Sequence, residues 1–145
     1  MANSSNPLKA YKETQIKTAS QGKLIIMLYD GAIRQIDIAV SRLESDTPEL
    51  DNVNNALVKA QDLITELMVS LDFERGGEIA QRLFHLYMYF NRQLVEANMQ
   101  KDPKPIKDVR RMVAELCSAW AQIINQGGGS PDDGNGNGGG VNIAG

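Results

Sequence analysis

The sequence predicts an all-α fold: an antiparallel up-down four-helix bundle with a short N-terminal helix or arm. Three observations carry this. Four stretches repeat apolar residues at helical spacing, and none alternates with the period of two that a strand needs. Proline or glycine punctuation falls between the later stretches, at Thr47-Pro48, Gly76-Gly77 and Asp102-Pro103. The connections left over are short, which favours neighbours packed antiparallel.

The first helix is expected from about Gln21 to Glu44, with the Ser20 hydroxyl accepting an orphan N–H of the first turn. The second is expected from about Pro48 to Leu71, with Thr47 as N-cap and Pro48 at the first helical position. Its apolar series, Val53, Leu57, Ala60, Ile64, Leu67 and Leu71, alternates steps of four and three and so shares one face. After the break at Gly76-Gly77, the third helix runs to about Gln100, burying Ile79, Leu83, Leu86, Tyr87, Phe90, Leu94 and Ala97. Asp102-Pro103 opens the fourth, which reaches about Asn125 and aligns Ile106, Val109, Val113, Leu116, Trp120 and Ile124.

The ends read differently. Residues 1–19 are polar with scattered Leu8, Tyr11 and Ile16, an arm or short helix placed to cap a groove; residues 20–125 form the bundle. From 126 to 145 the chain is dominated by glycine and is expected to be disordered, because it buries too little to offset its ordering entropy.

Composition narrows the function. The 145 residues suit one domain, and 42 % hydrophobic content is enough for a core. A net charge of -3, with acids and bases intermingled, argues against a nucleic-acid partner. One cysteine, Cys117, excludes an intramolecular disulfide and fits a reducing compartment. The first residues lack an apolar signal core, and the run Leu24 to Tyr29 is far short of a membrane span of roughly 20 residues. The expectation is a soluble cytosolic protein with no membrane insertion.

No catalytic or metal site assembles from the sequence. The lone histidine, His85, follows Arg82 by three, so the Glu-x-x-His repeat of metal-binding bundles is missing. Cys117 flanks the last core stripe and reads as a small buried apolar residue. Gly76-Gly77 has no preceding strand and no following Lys-Ser or Lys-Thr, so it is not a phosphate loop. Asp62 and Glu66 share a helix face without a third ligand. Asp30 with Arg34, Glu78 with Arg82 and Arg92 with Glu96 are helix-supporting pairs four apart. Mid-helix Gly31 is either a close approach of another backbone or a tolerated glycine. No enzyme activity and no cofactor are expected.

What stands out is surplus apolar surface. A bundle helix needs an apolar stripe of about 100°. On the first helix the apolar residues, Leu24 and Ile33 among them, cover about half the wheel, and Met27 and Ile38 lie outside even that. On the third helix, Phe84, Met88, Val95 and Met99 make a second stripe, separated from the core stripe by Asn91 and Asn98. These residues either thicken the core or line a groove for a flexible apolar partner, a use that suits methionine.

Certain words in the chain carry a resemblance. LIIMLYDGAI (Leu24–Ile33), ELMVSLDFERGGEIAQRLFHLYMY (Glu66–Tyr89), RQLVEANMQKD (Arg92–Asp102), Lys9-Ala10-Tyr11 and Ala119-Trp120 are similar, in order and spacing, to the FliS family of flagellar export chaperones. The chain departs from the family at Gln21-Gly22, where members often carry Pro-Glu or Pro-His, and in the length of its glycine-rich tail. The resemblance implies a cytosolic chaperone of flagellin that covers the disordered C-terminal segment of its client and presents it to a component of the flagellar export gate. It also implies client contact by an aliphatic residue three before a tyrosine, here Leu8 and Tyr11. Added to the wheels, it gives the candidate client contacts Leu8, Tyr11, Ile26, Met27, Ile33, Phe84, Met88, Val95 and Met99. The alternative is a regulatory scaffold that binds folded surfaces through the same faces. The client's identity and the oligomeric state are not legible.

Overall fold

A computed structural model describes residues 7–129, and the side chains of residues 21–126. Four helices make up the described chain: α1 (Pro7–Leu43), α2 (Leu50–Val69), α3 (Phe73–Gln100) and α4 (Pro103–Gly129). Each packs against two neighbours, in the cycle α1, α2, α3, α4 and back to α1. Rising numbers on one helix meet falling numbers on the next. Asp37 reaches Arg110 and Glu44 reaches Lys107 across α1–α4, while Asn54 reaches Asn98 and Thr65 reaches Asn91 across α2–α3. Adjacent helices are therefore antiparallel and α1 faces α3 diagonally, as the up-down reading expects.

The periodic stripes are the core. Val53, Leu57, Ala60, Ile64 and Leu67 of α2, and Ile106, Val109, Val113 and Trp120 of α4, are buried as their spacing requires. Leu86, Leu116, Ile124 and Leu71 sit half-buried at its edge. In the centre the hydroxyls of Tyr29 and Tyr87 meet at 2.5 Å, joining α1 to α3 across the bundle. Burial raises the pKa of both tyrosines, so both stay neutral there.

Four boundaries differ from the sequence reading. First, α1 begins at Pro7, not near Gln21, so Ser20 is an interior helix position and not its N-cap. Proline fits a first helical position, and no breaker separates it from Gln21. Gly22 is buried, with Ile124 so close that a Cβ would come within 3.2 Å of it. Second, α2 begins at Leu50, with extended Glu49 rather than Thr47 as N-cap. The helix thus starts two residues after the Thr47-Pro48 signal. The Glu49 carboxylate accepts from Asn52 and pairs with Arg42, and these two partners hold its pKa below the usual range.

Third, α3 gains a turn before the glycine pair. Asp72 caps it, its Oδ1 accepting from the N–H groups of Glu74 and Arg75 at 3.1 Å each. Gly77 then breaks the helix at φ 51°, ψ −126°, a conformation open to glycine. The buried series Ala80, Leu83, Tyr87, Phe90, Leu94 and Ala97 steps by three and four, so Ala80 is buried and Ile79, one position off that series, is exposed, against the expected placement of Ile79. Fourth, α4 continues past Asn125 to Gly129. Its start is as read: Asp102 Oδ1 accepts from Lys104 N–H at 3.0 Å. Residues 130–145, where most of the glycine-rich tail lies, fall outside the described residues.

Candidate functional site

Two seams bracket the core, and their chemistry differs. Along α1, Asp30, Asp37 and Glu44 recur every seven residues and face α4. Asp37 receives Arg110 through Nε at 2.7 Å and NH2 at 3.2 Å, and Glu44 receives Lys107 at 2.7 Å. Asp30 faces Cys117 instead, whose thiol donates at 3.6 Å. Cys117 is thus half-buried on this seam rather than inside the core, as its position beside the stripe had led one to expect. Burial, and then the Asp30 carboxylate, push the Cys117 pKa up to about 11, so it is a thiol near neutrality.

The α2–α3 seam has no ion pair among the described residues. Its rungs are uncharged: Asn91 Nδ2 donates to Thr65 Oγ1 at 3.1 Å, and Asn98 Nδ2 donates to Asn54 Oδ1 at 2.8 Å. The two asparagines are seven apart on α3, on the face that separates the core stripe from the surplus stripe. Beyond them the surplus stripe faces water: Met88 and Val95 are each 43 % exposed and Met99 is 79 % exposed. Phe84 is half-buried, held edge-on against Phe73 and His85 at centroid distances of 6.0 and 5.7 Å.

The facing side of α2 supplies what the sequence reading missed. Val58 and Leu50 are exposed, and helical phase puts both toward the α3 side. Exposed apolar side chains thus stand on both sides of the amide rungs along the α2–α3 seam. Val58 lies off the core stripe of α2 as Met88 lies off that of α3, but a single residue makes no stripe in the sequence.

The remaining candidates fall elsewhere. Ile26 and Ile33 are half-buried against the core from α1, and Met27 is 67 % exposed on the outward face of that helix. Helix α1 stands diagonally from α3, so these three and the α3 stripe form two separate surfaces rather than one site. Beside Ile33 lies a shallow depression of about 520 Å³, lined also by Asp30, Arg34, Asp37, Ile38, Ser41 and Arg42. Its lining is largely charged and polar, unlike the α3 stripe. Leu8 and Tyr11 lie in the first turns of α1, where side chains are outside the described residues. Mid-helix Gly31 is approached by a side chain and not by a backbone: a Cβ there would meet Leu63 Cδ1 at 3.1 Å.

Among the described residues no three His, Cys, Asp or Glu side chains gather as a metal site. No described helix is long and apolar enough to cross a membrane.

Comparison with known proteins bears on the chain as a whole. A family model described as "Flagellar protein FliS" matches residues 4–127. The flagellar secretion chaperone FliS of Bacillus subtilis is 36 % identical over 119 residues, covering 82 % of this chain and 86 % of that protein. The protein of that name from Salmonella typhimurium is 36 % identical over 121 residues, covering 80 % and 88 %. That of Vibrio cholerae is 34 % identical over 120 residues, covering 80 % and 87 %.

Proposed function

Because the chain belongs to the FliS family of flagellar proteins, we propose that it is a flagellar secretion chaperone whose client is flagellin and whose docking surface is the α2–α3 seam. One observation carries the choice of surface. The core is already filled by its own stripes, yet Met88, Val95, Met99 and Val58 are left facing water in a row beside uncharged rungs. An apolar row of this kind is a liability unless a partner covers it.

In this reading the C-terminal segment of flagellin lies along the seam and orders as it binds. Its ordering entropy opposes binding, so affinity comes from apolar anchors spread over a long surface. Methionine accepts varied shapes there, because its thioether chain repacks at little cost. A segment held in this way is kept from self-association until a component of the flagellar export gate receives it. The encounter takes place in the cytosol and requires neither catalytic group nor nucleotide. Leu8 and Tyr11 add contacts from the first turns of α1, and residues 1–19 compete with the client for the seam. Ile26, Met27 and Ile33 offer a second contact where a long client continues around the bundle.

The test is titration calorimetry against a peptide of the last ~40 residues of the source bacterium's flagellin, a length that wraps a bundle when extended. Tight binding with a large negative heat-capacity change is expected, weakened tenfold or more by Met88→Asp without loss of fold. Tight binding indifferent to Met88→Asp moves the site off α3, and absence of binding rejects the client. Removal of residues 1–19 is expected to raise affinity or provoke aggregation; no change in either removes the competing arm.

A further inference from the structure

The first turn of α3 does not continue the axis of the helix it opens. Phe73 and Phe84 are eleven residues apart, which a straight helix would separate by about 16 Å. Their ring centroids instead lie 6.0 Å apart, edge to face at 68°. Gly77, at φ 51° and ψ −126°, turns the chain. Gly76 then comes so close to the helix beyond that a Cβ on it would stand 2.7 Å from the Ala80 Cβ. Residues 72–76 are thus folded back along α3 as a strap, with Phe73 laid on Phe84.

The strap is built to move as a unit. Its ties are internal: Asp72 Oδ1 accepts from the Glu74 and Arg75 N–H groups, and Gly76 N–H donates to the Asp72 carbonyl at 2.8 Å. Its pivot is a glycine with nothing within 4 Å of where a Cβ would stand, free to take other backbone conformations. Its hold on α3 is slight, since Phe73 remains 47 % exposed on top of Phe84. What it covers is the start of the apolar row. Phe84 opens the series that Met88, Val95 and Met99 continue, and it alone of the four is half-buried.

We propose that Phe73 is an internal stand-in for a large apolar side chain of the client, which takes its place on Phe84 when the strap swings about Gly77. The inference rests on the proposed chaperone reading and names the first anchor of that client. The anchor is aromatic, because the ring that occupies the seat now meets Phe84 edge to face. Displacing the strap lengthens the open row by one turn, from Met88 back to Phe84. A self-occupied seat weakens every client by the fraction of chains in which it is closed. A client without the anchor recovers nothing by opening it, so the strap discriminates as well as covers.

The experiment pairs titration calorimetry of the full chain against the same flagellin peptide with fluorine NMR. Phe73→Ala removes the stand-in and is expected to bind about two- to tenfold more tightly, the size of one aromatic edge contact. Phe84→Ala removes the seat, so adding Phe73→Ala to it is expected to bring no further gain. The chain has three phenylalanines, Phe73, Phe84 and Phe90, so 4-fluorophenylalanine gives three lines. At peptide saturation the Phe73 line is expected to move to its position in the urea-unfolded chain, while the line of buried Phe90 stays in place. Should Phe73→Ala not fold, Gly76→Ala carries the same comparison, because its Cβ pushes the strap off Ala80 and leaves both rings intact. Weaker binding by Phe73→Ala makes Phe73 a client contact and overturns the inference. An unchanged affinity overturns it too, as does a Phe73 line that does not move at saturation. Each of these leaves the chaperone reading standing, whereas absence of binding by wild type and Phe73→Ala alike overturns both.

Discussion

Across α1–α4, Asp37 and Glu44 hold Arg110 and Lys107; across α2–α3, asparagines hold a threonine and a third asparagine. Length is the difference that matters. Arginine and lysine lay their methylene stems over neighbouring apolar atoms before reaching a carboxylate. Ile26 and Ile33 sit half-buried on α1, packed against the core. Asn and Thr are too short to cover anything, so Met88, Val95 and Met99 stay bare on α3. The charged seam is bridged by long side chains, and the amide seam leaves apolar residues exposed at its edges.

The contrast holds only while the shared interior is intact, and the largest expected effect tests that. Leu94→Ala, fully buried on α3, is expected to cost about 2–5 kcal/mol by urea unfolding and to disrupt both seams together. Gly77→Ala attacks the phase of α3 instead, since alanine is strained at φ 51°. A loss of about 1–3 kcal/mol in the same assay is expected.

Salt sharpens the comparison at a smaller scale. Arg110→Ala is expected to cost about 0.2–1 kcal/mol, a difference that shrinks in 1 M NaCl because both partners are about half exposed. Asn54→Ala, which removes the uncharged rung to Asn98 and no charged partner, is expected to cost about 0.5–1.5 kcal/mol with no such shrinkage. Equal salt dependence for the two variants would erase the distinction between the seams.

The odd rung of the charged seam can be read by pH. The Cys117 pKa is raised, so the folded state favours the neutral thiol. That preference is fully present below the ordinary thiol pKa and is lost as pH rises through about 11. As the sole cysteine, Cys117 makes alkylation unambiguous. Its rate is expected to climb at higher pH than in the urea-unfolded chain. Asp30→Asn moves the midpoint down only part of the way, because burial is the larger cause. A full return to the unfolded profile would make the carboxylate dominant.

Residue spacing made the interior legible and left the edges less so. Val53 to Leu67 and Ile106 to Trp120 are buried as spaced, since a helix offers one way to hide a stripe. At the start of α3 the large Ile79 competes with the small Ala80 for the inward position, and the three-four series back from Leu83 selects Ala80. Spacing does not fix a helix start where no breaker stands, as between Pro7 and Gln21. The stripe on α3 was readable because four large residues align off the core. Its counterpart on α2 was not, because Val58 looks like one stray residue until a neighbouring helix gives it company. The contact of Phe73 with Phe84 had no sequence signal at all: the two meet only because the chain turns at Gly77.

The tyrosine pair at the centre gives the molecule an optical use. Trp120 is the chain's one tryptophan, and it neighbours both Tyr29 and Tyr87. Excitation absorbed by these tyrosines passes to an indole buried in the same interior, so intrinsic emission reports the middle of the bundle. Unfolding separates donor from acceptor and wets the indole together. Traffic along the outer seam stays dark unless it reaches the interior, and a client that alters the emission has done more than dock.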